Sequence, residues 1–131
     1  MIEQVTDELV EEVLAHYIIA ALWSSTDNTD DSGGEPLDRN YDRTDIDSLA
    51  EAEMRAQVDS FLRTNLELIK QLPEEFGPEQ IGHDFWLTRN GHGVGFWDRD
   101  LGELGDQLTE ACDLAGEQDI YVGDDGKLYV S

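Results

Sequence analysis

Asp84-Phe85-Trp86-Leu87-Thr88-Arg89-Asn90-Gly91-His92-Gly93-Val94-Gly95-Phe96-Trp97 is the stretch on which the fold turns. Two apolar segments flank Asn90-Gly91, and that dipeptide tolerates the left-handed backbone a two-residue hairpin turn requires. With a two-residue loop, Leu87 faces Val94 and Phe85 faces Phe96, giving one apolar face. On the other face Trp86 lies opposite Gly95 and Trp97 opposite Asp84. A large ring over a strand glycine is a known cover for exposed backbone.

The C-terminal end repeats the pattern. Ile120-Tyr121-Val122 and Leu128-Tyr129-Val130 flank a turn with Gly126 in the left-handed position. That register pairs Val122 with Leu128, Ile120 with Val130, and Tyr121 with Tyr129. Elsewhere the period is helical. Val10, Val13, Leu14, Tyr17, Ile18, Ala21 and Leu22 predict a helix from about Thr6 to Trp23, with Thr6 as N-cap. Ser48-Leu49-Ala50-Glu51 reads as a capping box opening a second helix that Pro73 ends. Leu101, Leu104, Leu108, Ala111, Cys112 and Ala115 predict a third, closed by Gly116. Residues 24–45, rich in Asp, Ser, Gly, Asn and Thr, read as a long acidic loop, either mobile or functional. The expected architecture is a single α+β domain over residues 1–131, of order ααββαββ. Its two antiparallel hairpins form one four-stranded sheet covered by helices.

Composition bounds the function. The chain has 131 residues, with 31 Asp and Glu against 8 Lys and Arg, for a net charge of -23. Such a surface repels nucleic acid and anionic membranes, which excludes the ordinary basic kind of nucleic-acid binder. No apolar run approaches a membrane span, and the N-terminus carries no secretory signal pattern. The single Cys112 cannot form an internal disulfide, so a cytoplasmic setting is expected. Acidic surfaces also suit high salt, and Lys is scarce, so halophily is a further source of the charge.

No catalytic or metal-binding constellation stands out in the sequence. His83, His92, Asp84, Asp98 and Asp100 are metal-ligand types near the first hairpin, but the two histidines fall about 17 Å apart in that register. Asp27-Asn28-Thr29-Asp30-Asp31-Ser32 has Ser where a calcium loop needs Gly, and lacks the final Glu. Cys112 lies on the apolar side of its helix, where a thiol is inert. Ser24-Ser25-Thr26 lacks the strand-turn-helix setting of a nucleophile, and Gly91-His92-Gly93-Val94-Gly95 does not open a helix as a phosphate cradle would. No metal, cofactor or catalytic residue is therefore expected.

Several segments resemble a family of small acidic proteins encoded in bacteriophage and prophage genomes. They are Ala20-Ala21-Leu22-Trp23-Ser24-Ser25-Thr26-Asp27, Gly34-Glu35-Pro36-Leu37-Asp38, the run from His83 to Gly93 with Phe96-Trp97-Asp98-Arg99, and Tyr121-Val122-Gly123-Asp124-Asp125-Gly126-Lys127-Leu128-Tyr129. The resemblance implies phage origin and action inside a bacterial host cell, and carries no mechanism. The leading expectation is a non-enzymatic accessory protein that binds a host or phage protein. Trp86, Arg89, Asn90, His92 and Trp97 on the hairpin would make the contact, because Trp and Arg anchor interfaces. The alternative is an acidic DNA mimic that inhibits a host nucleic-acid-binding defence enzyme. It would use Asp7, Glu8, Glu11 and Glu12, whose four-residue spacing rises about 6 Å, of the order of the step between phosphates. A small enzyme of unknown reaction ranks last.

Overall fold

The computed structural model describes residues 2–27, 34–91, 95–96 and 99–131. Helix α1 (Asp7–Ser24) forms as its periodicity predicts, and the Thr6 side chain accepts from the Leu9 N–H at 3.0 Å. Two short strands follow, β1 (Thr26–Asp27) and β2 (Glu35–Pro36), paired antiparallel, then 3-10 turns at Leu37–Arg39 and Arg43–Asp45. The described part of the expected loop is thus folded onto the domain, with Leu37 fully buried. Helix α2 (Ser48–Thr64) is capped by Asp47 rather than by Ser48: the Asp47 carboxylate accepts from the Leu49 and Ala50 N–H groups. It stops at Asn65, earlier than Pro73, and a single turn, α3 (Leu66–Ile69), continues it.

The first hairpin is not there. Residues 78–89 form helix α4 (Pro78–Arg89), and the predicted order ααββαββ with a four-stranded sheet is overturned. Among the described residues the strands make two separate two-stranded sheets, β1–β2 and β3–β4. Pro78 stands at the start of α4, where a missing N–H costs nothing. Asn90-Gly91 ends the helix instead of turning a hairpin, with Gly91 in the left-handed region at φ 72°. Phe85, Leu87 and Phe96 are buried, but not as cross-strand partners; Val94 lies outside the described residues. Gly95 sits under Thr88, not under Trp86: the Thr88 hydroxyl accepts from the Phe96 N–H at 3.1 Å and occupies the space of a Gly95 Cβ. Helix α4 is buried on nearly all sides. Its interior therefore lacks the one-sided stripe by which a helix is read from sequence.

Helix α5 (Glu103–Ala115) and strands β3 (Ile120–Val122) and β4 (Leu128–Val130) close the chain. The closing hairpin has the expected register, and the Tyr121 and Tyr129 rings stack at 6.2 Å. The core is helix on helix. Helix α4 crosses α1 at Gly82, where an added Cβ would lie 2.2 Å from the Val13 carbonyl oxygen and 2.8 Å from the Tyr17 nitrogen. Phe85 then lies between Tyr17, at 5.2 Å, and Phe61, stacked at 4.0 Å, with Phe96 beyond Phe61 at 6.2 Å. Such ring pairs each add about 0.5–1.5 kcal/mol beyond the area they bury.

Gly82→Ala is expected to lower stability by about 3 kcal/mol, because its methyl group meets backbone that cannot rotate away. A denaturant titration should show the midpoint falling while the slope is unchanged. An unchanged midpoint would mean that α1 and α4 can separate at no cost.

Candidate protein-interaction surface

Burying α4 buries its polar side chains, and each of them organises a neighbour. Asp84 is fully buried and receives Arg99 through two hydrogen bonds of 3.0 Å, with Gln80 at 2.8 Å. A paired, fully bonded charge is the form in which an interior tolerates a carboxylate. Arg89, 5% exposed, donates to the Ala115 and Gly116 carbonyls at 3.0 and 2.7 Å, placing its charge at the negative end of α5. It also donates to the Tyr17 hydroxyl at 3.0 Å, and that hydroxyl donates to Gln118. Burial pushes the Tyr17 phenol far above its ordinary pKa despite the opposing charge of Arg89, so it stays a neutral donor.

Asn90 extends the network to the surface. Its amide donates to the Trp86 carbonyl at 3.0 Å, and its carbonyl accepts from the Gln118 N–H at 3.0 Å. The Trp86 indole N–H donates to the Ser24 hydroxyl at 2.8 Å. The end of α1, the end of α4 and the segment entering β3 are thereby tied around a cleft of about 630 Å³. Ser24, Ser25 and Thr26 line one side, Asp119 to Val122 the other, with Trp86 and Asn90 between. Glu117 and Asp119 are exposed there, and none of its described lining residues is Lys or Arg.

The cations are engaged inside the domain. Arg43 contacts Glu11 at 2.6 Å and Glu51 at 2.7 Å, and Arg55 reaches the same Glu11 at 2.7 Å. Arg39, Arg63 and Lys70 pair with Glu35, Asp59 and Glu67 within their own segments. With Arg89 and Arg99 already committed, the exposed Lys127 is left in the closing turn. Helix α5 shows the consequence. Glu103, Asp106, Glu110 and Asp113 are all exposed and recur every three or four residues, so they share one face, and α5 holds no Lys or Arg. Successive carboxylates rise about 4.5–6 Å along it.

The residues expected to carry function are distributed differently from that expectation. Trp86 (2% exposed) and Arg89 sit in the interior and Asn90 is half-buried, so the exposed hairpin face of Trp and Arg does not exist. His92 and Trp97 lie outside the described residues. Asp7, Glu8 and Glu12 are exposed at the start of α1, whereas Glu11 is held between two arginines. The α5 row is legible in the sequence as acids at three- and four-residue spacing, on the side of the helix away from its buried apolar residues. Among the described residues no group of three His, Cys, Asp or Glu could hold a metal, and no helix is long and apolar enough to cross a membrane. Burial pushes the Cys112 thiol well above its ordinary pKa, which makes it a poor nucleophile. Compared with known proteins, the chain matches no family model, no curated protein and no solved structure.

Arg89→Met should cost about 2 kcal/mol, since it strips a charged hydrogen bond from the buried Tyr17 hydroxyl and two more from the partly buried end of α5. Amide exchange should quicken first in α5 and in the segment entering β3. Uniform exchange changes across the chain would argue against a local role.

Glu11 supplies a pH signature. Hydrogen bonds from Arg43 and then Arg55 hold its pKa down from 4.5 to about 2. Its stabilisation is complete above pH 4.5 and is lost as pH falls through about 2. The side chain is 46% exposed, so the effect is about 1 kcal/mol or less. Stability profiles of the natural chain and Glu11→Gln should converge in acid and separate above pH 4.5. Parallel profiles across that range would show that the clamp contributes nothing.

Proposed function

We propose that this chain is a non-enzymatic binding protein whose exposed carboxylates engage a cationic surface on a partner protein. The observation that carries the reading is the disposition of charge. Arg89 and Arg99 are turned to interior groups and the other arginines are paired with carboxylates of the same chain, so acids far outnumber cations on the outer surface, with a row of them on α5. Steering by such a field raises the association rate and makes affinity salt-dependent.

The spacing on α5 favours a sharper version, in which the partner's cationic surface is one that ordinarily holds nucleic-acid phosphates. A row of carboxylates rising about 4.5–6 Å per step offers Lys and Arg clusters a stand-in for a phosphate strand. This reading moves DNA mimicry from the start of α1, where Glu11 is already neutralised, to α5. The resemblance to phage and prophage proteins supports a partner within a bacterial cell, of host or phage origin.

The test is affinity capture from a bacterial lysate, with the captured partner then measured in isolation. Binding should weaken at least about tenfold between low and physiological salt. It should weaken similarly in the variant carrying Glu103→Gln, Asp106→Asn, Glu110→Gln and Asp113→Asn. Duplex DNA should compete if the partner surface is a nucleic-acid site. A partner held equally well by the α5 variant and at high salt would overturn the reading, and a salt-sensitive partner indifferent to DNA would remove only the mimicry.

A further inference from the structure

Helices α2 and α5 flank a second groove, of about 300 Å³. Gln57, Ser60 and Thr64 line it from α2, Ala111 and Leu114 from α5, and the buried Phe61 also borders it. Those positions recur at three- and four-residue spacing, so the groove follows both helices. None of its described lining residues is charged. The two amides on the α2 side are already engaged: Gln57 donates to the Glu53 carboxylate at 3.2 Å, and Asn65 to the Phe61 carbonyl at 2.9 Å. Leu114 is 84% exposed, more than any other large apolar side chain among the described residues. It stands inside the acidic row of α5, one turn after Glu110 and directly after Asp113. An exposed leucine by itself is ordinary. This one rims a groove that carboxylates flank from both helices, Glu53 on α2 and Glu110 and Asp113 on α5. The neighbouring Arg63 is held by Asp59 at 3.0 Å.

We propose that this groove seats an amphipathic helix of the partner. Its large apolar side chains would cover Leu114 and Ala111, while its Lys or Arg side chains meet Glu53, Glu110 and Asp113. A volume of about 300 Å³ is at the low end for a small-molecule pocket and suits anchoring side chains better. A helix fits the lengthwise run of the groove, because the side-chain ridges of one helix pack into the grooves of others. It also brings its own backbone hydrogen bonds, so it needs no main-chain partner there. Charge selects the occupant. Carboxylates on both sides repel a phosphate-bearing or acidic ligand and draw in a basic helix. Apolar anchors surrounded by charged contacts are the ordinary anatomy of helix-in-groove recognition. The inference rests on the cationic-partner reading above and adds to it an apolar anchor point on the acidic helix itself.

The test uses the full ¹⁵N-labelled chain and a capped helical peptide about four turns long, built of Leu, Lys and Ala with its leucines on one face. The comparison probe is the same peptide with every Leu replaced by Ala, which keeps its charge and its helix. The Ser60, Ala111 and Leu114 amides should shift most with the leucine peptide. The alanine peptide should bind at least about tenfold more weakly, since it has no apolar side chain to bury. Leu114→Ala should weaken the leucine peptide about tenfold. Its denaturation midpoint should be unchanged, because the side chain is 84% exposed. Ile19→Ala, which trims an exposed apolar side chain on α1, should leave binding unchanged. Glu53→Gln with Glu110→Gln and Asp113→Asn should weaken both peptides about fivefold and flatten the salt dependence. Equal binding of the two peptides, or no effect of Leu114→Ala, would overturn the groove but leave the carboxylate reading standing. So would self-association of the free chain that Leu114→Ala abolishes, since a second copy would then fill the groove. If neither peptide binds, both readings fail.

Discussion

At Gly82 the backbones of α4 and α1 approach so closely that even one methyl group has no place between them. That contact sets the rest of the molecule. It draws α4 into the centre of the domain, so that a helix carrying Asp84, Trp86, Thr88 and Arg89 must satisfy all of them without water. The domain meets the demand locally: Arg99 comes to Asp84, the Phe96 N–H to Thr88, Ser24 to Trp86, and the end of α5 to Arg89. Buried polar groups that are fully bonded act as specific connectors, because any other packing leaves one of them unsatisfied.

The same economy shapes the exterior. A chain with 8 cations and 31 acids could have scattered its arginines to dilute surface repulsion. Instead, Arg89 and Arg99 fix interior contacts, and Arg43 and Arg55 clamp Glu11 to join α1, the 3-10 turn and α2. Exposed pairs such as Arg63 with Asp59 contribute little to stability, so the cations that matter structurally are the ones withdrawn from the surface. What faces solvent is a field of carboxylates, concentrated on α5 and at the start of α1. Beside it lies a cleft whose walls are held by the buried network.

Much of this molecule was legible from local pattern. Helix α1 with its Thr6 cap, the apolar side of α5 and the register of the closing hairpin follow from periodicity and turn chemistry, and all three are found. Helix α4 was not legible as a helix, because burial on nearly every side erases the stripe that reports helical period. A short apolar run rich in aromatics then looks like a strand. Asn90-Gly91 supports either reading, since a left-handed residue serves a hairpin turn and a helix end alike. The signal that separates them was Gly77-Pro78-Glu79, a proline at a first helical position, some distance upstream of the aromatic run.

The candidate site divides along the same line. The sequence by itself determined the anionic character and the closing hairpin, whose strand β3 borders the cleft. These depend on composition and on residues near one another in the chain. Only the tertiary structure decided that Trp86 and Arg89 are internal, that Glu11 is neutralised by arginines 32 and 44 residues away, and that β3 and the end of α1 line one cleft. Each of those outcomes depends on which surfaces α1 and α4 hide from water when they meet, and no local pattern in either segment encodes the meeting.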